Sequence, residues 1–202
     1  PGIFMEGNMN PTSGPILAHW TDLYRAISRV NLVVSNVQAI SDELVSPETK
    51  NELLGQAYFL RALCYFNLAV YFEEAPLITE PQTLQEAFVP KNSYQEITAQ
   101  IITDLKFSIE NLPVSHPDNL NGYATQGAAL GLFARVQLYN QEYAGEFGVL
   151  SLTQTLMGLG YSLHPNYEEL FTPANETSPE MVFSVRFFRE VGTGNGETFS
   201  GT

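Results

Sequence analysis

Apolar positions recur at helical spacing along most of this chain. Trp20, Tyr24, Ile27, Val30, Val34 and Val37 return every three or four residues, which predicts one amphipathic helix to about Ile40. A second helix opens at Ser46, Pro47 and Glu48. There the serine hydroxyl accepts from an otherwise unpaired N–H, the proline gives up no helical bond, and the carboxylate complements the positive end of the helix. This helix runs to about Phe72 and is apolar on nearly every side from Ala57 onward (Tyr58, Phe59, Leu60, Leu63, Tyr65, Phe66, Leu68, Val70), so it should lie between neighbours. Ser93 and Glu96 have the capping-box spacing, and Ile97, Ile101, Leu105 and Ile109 follow at i,i+4 steps until Pro113. After a polar loop at 115–123, a fourth helix mixes Gly127, Ala128, Ala129, Gly131 and Ala134 with Leu132, Phe133, Val136, Leu138 and Tyr139. Its small residues permit close helix approach. Residues 143–158 predict a weaker fifth helix, closed by Gly158 and Gly160.

Beyond that point the period changes. Tyr161–Leu163 and Met181–Phe187 alternate apolar with polar residues and predict short strands, separated by one helical turn at 166–171. Residues 1–15 hold three Gly, three Pro and two Asn without a sustained period, and 192–202 is equally loop-like. The expected organisation is a single domain over 1–202, with a leading loop at 1–15, helical repeats over 16–158, and exit loops with short strands at 159–202. FLRALCYFNL around Ala62 and LFARVQLYN around Ala134 superimpose with a 72-residue offset, close to twice the roughly 34-residue period of tetratricopeptide (TPR) helix pairs. The fold class is therefore all-α, as TPR-like stacked helical hairpins with short C-terminal strands.

Composition narrows the partners. At 202 residues and 44% apolar content, the chain can bury one substantial core. Only 15% of residues are charged, while thirteen Phe, ten Tyr and one Trp are present, so the surface is polar-neutral and aromatic-rich. A formal charge of −13 repels nucleic-acid phosphates and anionic lipid alike. It leaves neutral ligands such as sugars, or a basic partner surface, though an acidic balance also serves solubility alone. Cys64 is the only cysteine, which excludes an intrachain disulfide and a thiolate metal cage. Its neighbours Leu63, Tyr65 and Phe66 predict an inert buried thiol. No unbroken apolar run reaches the ~18–20 residues of a membrane span, and Pro1 begins no signal peptide, so the reading is a chain whose address has been removed, or a fragment.

No catalytic constellation emerges. The pairs Asp42–Glu43, Glu73–Glu74 and Glu168–Glu169 are sequence neighbours rather than carboxylates on facing walls of a cleft, and they read as solvated faces or caps. His19, His116 and His164 lack metal-ligand spacing, no serine lies in Gly-x-Ser-x-Gly, and Gly192, Gly194 and Gly196 sit in a terminal tail rather than between a strand and a helix. The expectation is no enzyme, no cofactor and no metal. Trp20 and Tyr24 could stack on a sugar ring, but their place in the apolar stripe favours core packing. Arg61, inside the most apolar helix, must be paired, with Glu52, Glu73 or backbone carbonyls as expected partners. Asn31 and Asn67 interrupt apolar stripes and should bridge helices or loops. Phe4, Asn8 and Asn10 combine an aromatic ring with planar amides, the mixture that recognises a sugar's faces and hydroxyls, and are the candidate ligand contacts.

Two runs, WTDLYRAISRVNLVVSNV (20–37) and ELLGQAYFLRALCYFNLAVYFEEAPLIT (52–79), resemble the paired-helix signature of the SusD/RagB family of outer-membrane nutrient-binding lipoproteins. That signature joins Trp-x-x-Leu-Tyr, here Trp20 and Tyr24, to Ala-x-Phe-Leu-Arg-Ala, here ending in Arg61 and Ala62, and then to a Pro-Leu-Ile turn. GYATQGAALGLFARVQLYN is similar to the family's next repeat helix, and YSLHPNYEELF with SPEMVFSVRF to its exit from the repeats. The resemblance implies a longer protein with a lipidated N-terminal cysteine, for which helical Cys64 cannot substitute, and a C-terminal half folded over the repeats. It also implies a non-catalytic cell-surface receptor that binds oligosaccharide or polysaccharide and caps a TonB-dependent, SusC-like transporter as a hinged lid. Ligand contacts of some members fall near Phe4, Asn8 and Asn10. The competing readings are a general TPR-type protein-interaction scaffold and a glycoside hydrolase.

Overall fold

The computed structural model describes residues 13–83, 86, 88–117, 122–172, 175 and 178–185. Phe4, Asn8, Asn10, the 192–202 tail and the last residues of the expected second strand lie outside them. Among the described residues five α-helices follow one another: α1 (Gly14–Ala39), α2 (Pro47–Phe72), α3 (Tyr94–Asn111), α4 (Gln126–Tyr139) and α5 (Val149–Gly158), then a 3₁₀ turn at Glu169–Phe171. Each helix packs on the next, and α2 also touches α4. That order is a stack of antiparallel hairpins, α1/α2 and then α3/α4.

The caps form as their chemistry dictates. Ser46 Oγ accepts from Thr49 N at 3.3 Å with Pro47 behind it. Ser93 Oγ accepts from Glu96 N while the Glu96 carboxylate takes the Ser93 N–H at 2.8 Å, a complete capping box. α1 begins at Gly14, with Pro15 in its first turn, slightly before the expected end of the leading loop.

α2 is the spine. Phe59, Ala62, Tyr65 and Leu68 are at most 1% exposed, and Arg61 is also buried. By length and composition α2 could cross a membrane, but Glu52, Gln56, Arg61 and Asn67 interrupt it and neighbouring helices cover much of it, so it is a core helix. The main core joins α2 to Ile97, Ile101 and Leu105 of α3 and to Ala129, Phe133 and Val136 of α4. A smaller cluster of Val30, Val34, Val37, Leu54 and Ala57 seals α1 onto α2. Ala62 and Ala134, which correspond in the sequence repeat, both lie in the core, where a short side chain lets helices meet closely.

Two expectations need correction. The fifth helix starts at Val149 rather than at 143, because Gln141 (φ 62°) and Gly145 (φ 92°) adopt left-handed backbone and Gly148 is the N-cap. The short strands do not form among the described residues. Residues 161–163 and 181–185 are irregular, and Ser162 N donates to the Pro179 carbonyl, in the turn before the second segment, at 3.3 Å. Two adjacent residues reach the helices instead: the Phe183 ring meets Phe59 edge-on at 4.9 Å, and the space over Gly131 is taken by Val182, while Met181 and Val185 stay exposed. With no neighbouring strand among the described residues to complete a ladder, the period-2 pattern does not translate into one covered face.

Candidate functional site

Arg61 organises the most elaborate polar site of the described residues. Its Nε and Nη2 donate to the two oxygens of Asp104 on α3 at 2.8 and 2.7 Å, and its Nη1 donates to Asn31 Oδ1 at 3.0 Å and to the Thr79 carbonyl at 2.9 Å. The guanidinium is therefore paired, and the carboxylate that pairs it is Asp104, not Glu52 or Glu73. Both side chains are nearly dry, at 5% and 3% exposure. Burial raises the Asp104 carboxyl above the ordinary carboxylate range, and hydrogen bonds from Arg61 and Gln100 pull it part of the way back. Loss of solvation acts against the charge on Arg61, but the bonds to Asp104 outweigh it and the guanidinium stays ionised.

This network reaches outward to the segment after α2. Asn31 Nδ2 donates to the Ile78 carbonyl at 2.9 Å and, more weakly, to that of Glu80 at 3.4 Å. Tyr65 Oη takes the Ile78 N–H at 2.7 Å and donates to the Ile78 carbonyl at 2.9 Å, and Tyr24 Oη donates to the Pro76 carbonyl at 2.7 Å. Burial lifts both phenols, that of Tyr65 to about 12. Residues 76–80 are thus an extended strap bolted across α1 and α2. Between strap and helices lies an open groove of about 540 Å³, lined on one side by Asn31, Val34, Ser35 and Gln38 of α1 and on the other by Tyr58 and Arg61 of α2, with Thr79, Glu80 and Pro81 along the strap. The Tyr58 ring takes Arg61 on its face at 4.9 Å and Phe107 at its edge at 5.0 Å, and Gln38 Nε2 donates to its hydroxyl at 3.3 Å.

The other residues singled out by sequence fall elsewhere. Trp20 packs against Tyr24 and edge-on to Phe72 at 4.8 Å, beside the main core. Asn67 bonds within its own helix to the Leu63 carbonyl, whereas Asn31 is the bridge just described. Cys64 is half-buried, and burial pushes its thiol up to about 11, far from the thiolate a nucleophile needs. His116 bonds to the Ala124 carbonyl, His164 contacts the Asn166 backbone, and His19 meets Tyr71 edge-on, so the three do not converge. Of the paired carboxylates, Asp42 bonds Lys50 and Glu169 accepts from Asn166 Nδ2. Ser35, Gln38, Glu80 and Asp104 were missed. Asp104 carried a signal, since it flanks the Ile97–Ile101–Leu105 row as Arg61 flanks its own stripe, and two lone opposite charges on facing apolar surfaces are natural partners.

Stacked hairpins with a fixed strap and a preformed polar groove define a helical-repeat binding scaffold. The chain belongs to the SusD-like family: residues 4–138 match the family model described as "Starch-binding associating with outer membrane". SusD-like protein P25 of Formosa agariphila is 28% identical over 173 residues, covering 85% of this chain and 32% of its own length. SusD-like protein P38 of the same organism is 28% identical over 202 residues, with 93% and 38% covered. Among solved structures, a laminarin binding SusD-like protein superimposes with a TM-score of 0.82 at 30% identity, covering 90% of this chain and 40% of the other. A SusD-like carbohydrate binding protein from Bacteroides fragilis NCTC 9343 gives 0.77 at 29% identity, with 85% and 33% covered. The chain thus spans well under half the length of these relatives.

Proposed function

We propose that the full-length protein is a non-catalytic, cell-surface glycan receptor that binds oligosaccharide and delivers it to a TonB-dependent, SusC-like transporter in the outer membrane, held there by an N-terminal lipid anchor. The observation that carries this reading is family membership across α1 to α4, reinforced by likeness to a laminarin binding protein at 30% identity. The negative balance of the chain agrees with a neutral ligand. Phe4, Asn8 and Asn10, an aromatic ring and two amides, are the proposed ligand contacts of the leading loop.

Affinity electrophoresis of the full-length protein in gels containing laminarin, starch or other neutral polysaccharides tests the reading. Retardation by at least one polymer, without release of reducing ends at high protein concentration, is the expected result. Free migration in every gel, or turnover of a retained polymer, overturns it. Co-purification of a TonB-dependent transporter with the tagged protein from outer membranes tests the delivery step.

A further inference from the structure

We propose that the groove between α1, α2 and the 76–80 strap is a second saccharide subsite, distinct from the leading loop; this rests on the glycan-receptor reading above. A buried ion pair such as Arg61–Asp104 contributes little to stability over an apolar pair of the same volume. Its structural product here is position. Arg61 and the Asn31 it holds bind the carbonyls of Ile78, Thr79 and Glu80, so the outer wall of the groove is fixed before any ligand arrives. The wall then offers groups of mixed character. The Ser35 hydroxyl and the Glu80 carboxylate make no bond to another described residue, and Gln38 spends only an Nε2 donor on Tyr58, leaving its Oε1 open. Tyr58 and Pro81 supply aromatic and aliphatic surface between these donors and acceptors. The volume, about 540 Å³, falls in the range of about 300–1,000 Å³ usual for small-ligand sites.

Other ligand classes fit worse. One carboxylate beside a guanidinium supplies too few oxygen ligands for a divalent cation and too little negative charge to select a basic peptide. The excess of 22 acidic over 9 basic side chains disfavours anions. A neutral pyranose segment matches what remains: hydroxyls for Ser35, Gln38, Tyr58 and Glu80, and a C–H face for the ring and the aliphatic carbons.

A polymer that fills this groove together with other contacts on the protein links two binding events in one molecule, which multiplies affinity.

Calorimetry on the full-length protein with laminarin and its trisaccharide, or with starch and maltotriose where starch is the polymer retained, tests the proposal. The unaltered protein should show two trisaccharide sites. Ser35→Arg, which lays a long side chain across the groove, and Glu80→Ala, which removes an acceptor, should each leave one site and weaken polymer binding about tenfold. Both positions are exposed, so thermal midpoints should stay at the parent value, and Phe4→Ala should remove the other site instead. One trisaccharide site in the unaltered protein, or polymer affinity unchanged in both groove variants, overturns the subsite while leaving the receptor reading intact. If no form of the protein binds laminarin or starch, the receptor reading for these glycans falls and the subsite with it.

Discussion

α2 and α5 are both rich in large apolar side chains, yet they occupy opposite extremes of the fold. α2 has ten buried residues spread around its circumference, including Arg61. α5 buries Leu152 alone, while Leu150 and Met157 stand 63% and 73% exposed. What differs is the cover: α2 has helices on several sides, and α5 rests on α4. An apolar residue stabilises a fold in proportion to the area its neighbours remove from water, so helices with similar stripes need not matter equally.

The comparison can be broken most forcefully at Asp104. Replacing it with Ala strands the Arg61 charge in a dry site and should lower unfolding free energy by about 3–5 kcal/mol, measured by urea denaturation. The double variant Arg61→Met with Asp104→Leu sharpens the point: global stability should match or exceed the parent, while amides of 78–80 exchange faster because the strap has lost its Thr79 anchor. In α5, Leu152→Ala should cost about 2 kcal/mol, near the lower end for a buried leucine because solvent lies close by. Ser93→Ala should cost about 1 kcal/mol through loss of the α3 cap. The same cap has a pH signature. The backbone N–H and then the hydroxyl of Ser93 hold the Glu96 carboxyl below the ordinary glutamate value of 4.5, so its contribution is present above that value and disappears as pH falls through the folded-state value. Glu96→Gln should flatten that acid-side decline in thermal midpoint. Smallest of all, Met157→Ser should shift stability by no more than about 0.5 kcal/mol.

Helices were legible wherever periodicity and capping chemistry agreed. Ser46 with Pro47 and Ser93 with Glu96 set the starts of α2 and α3 because those side chains bond their own first turns, a local interaction that sequence spacing encodes. The start of α5 was not legible, since the left-handed backbone at Gln141 is no preference of glutamine. The period-2 pattern at 181–185 misled for a related reason: the residues that reach the helices, Val182 and Phe183, are adjacent rather than alternate, a contact that only the folded stack selects. At the site, the need to pair Arg61 followed from the cost of an isolated buried charge. Its partner came from α3, 43 residues away, and no local rule selects Asp104 over Glu52 or Glu73. The groove was hidden for the same reason, because α1, α2 and the strap converge only when the helices stack.

The isolated bridge between Ala75 and Asn92 ties both feet of the intervening segment together, with N–H to carbonyl bonds of 3.3 and 3.0 Å. Since the ends are already pinned, adding residues near fully exposed Phe88 (97%) changes the closure entropy only logarithmically. Phe88 is therefore a position at which a reporter peptide or fluorophore can be grafted with little effect on the helices.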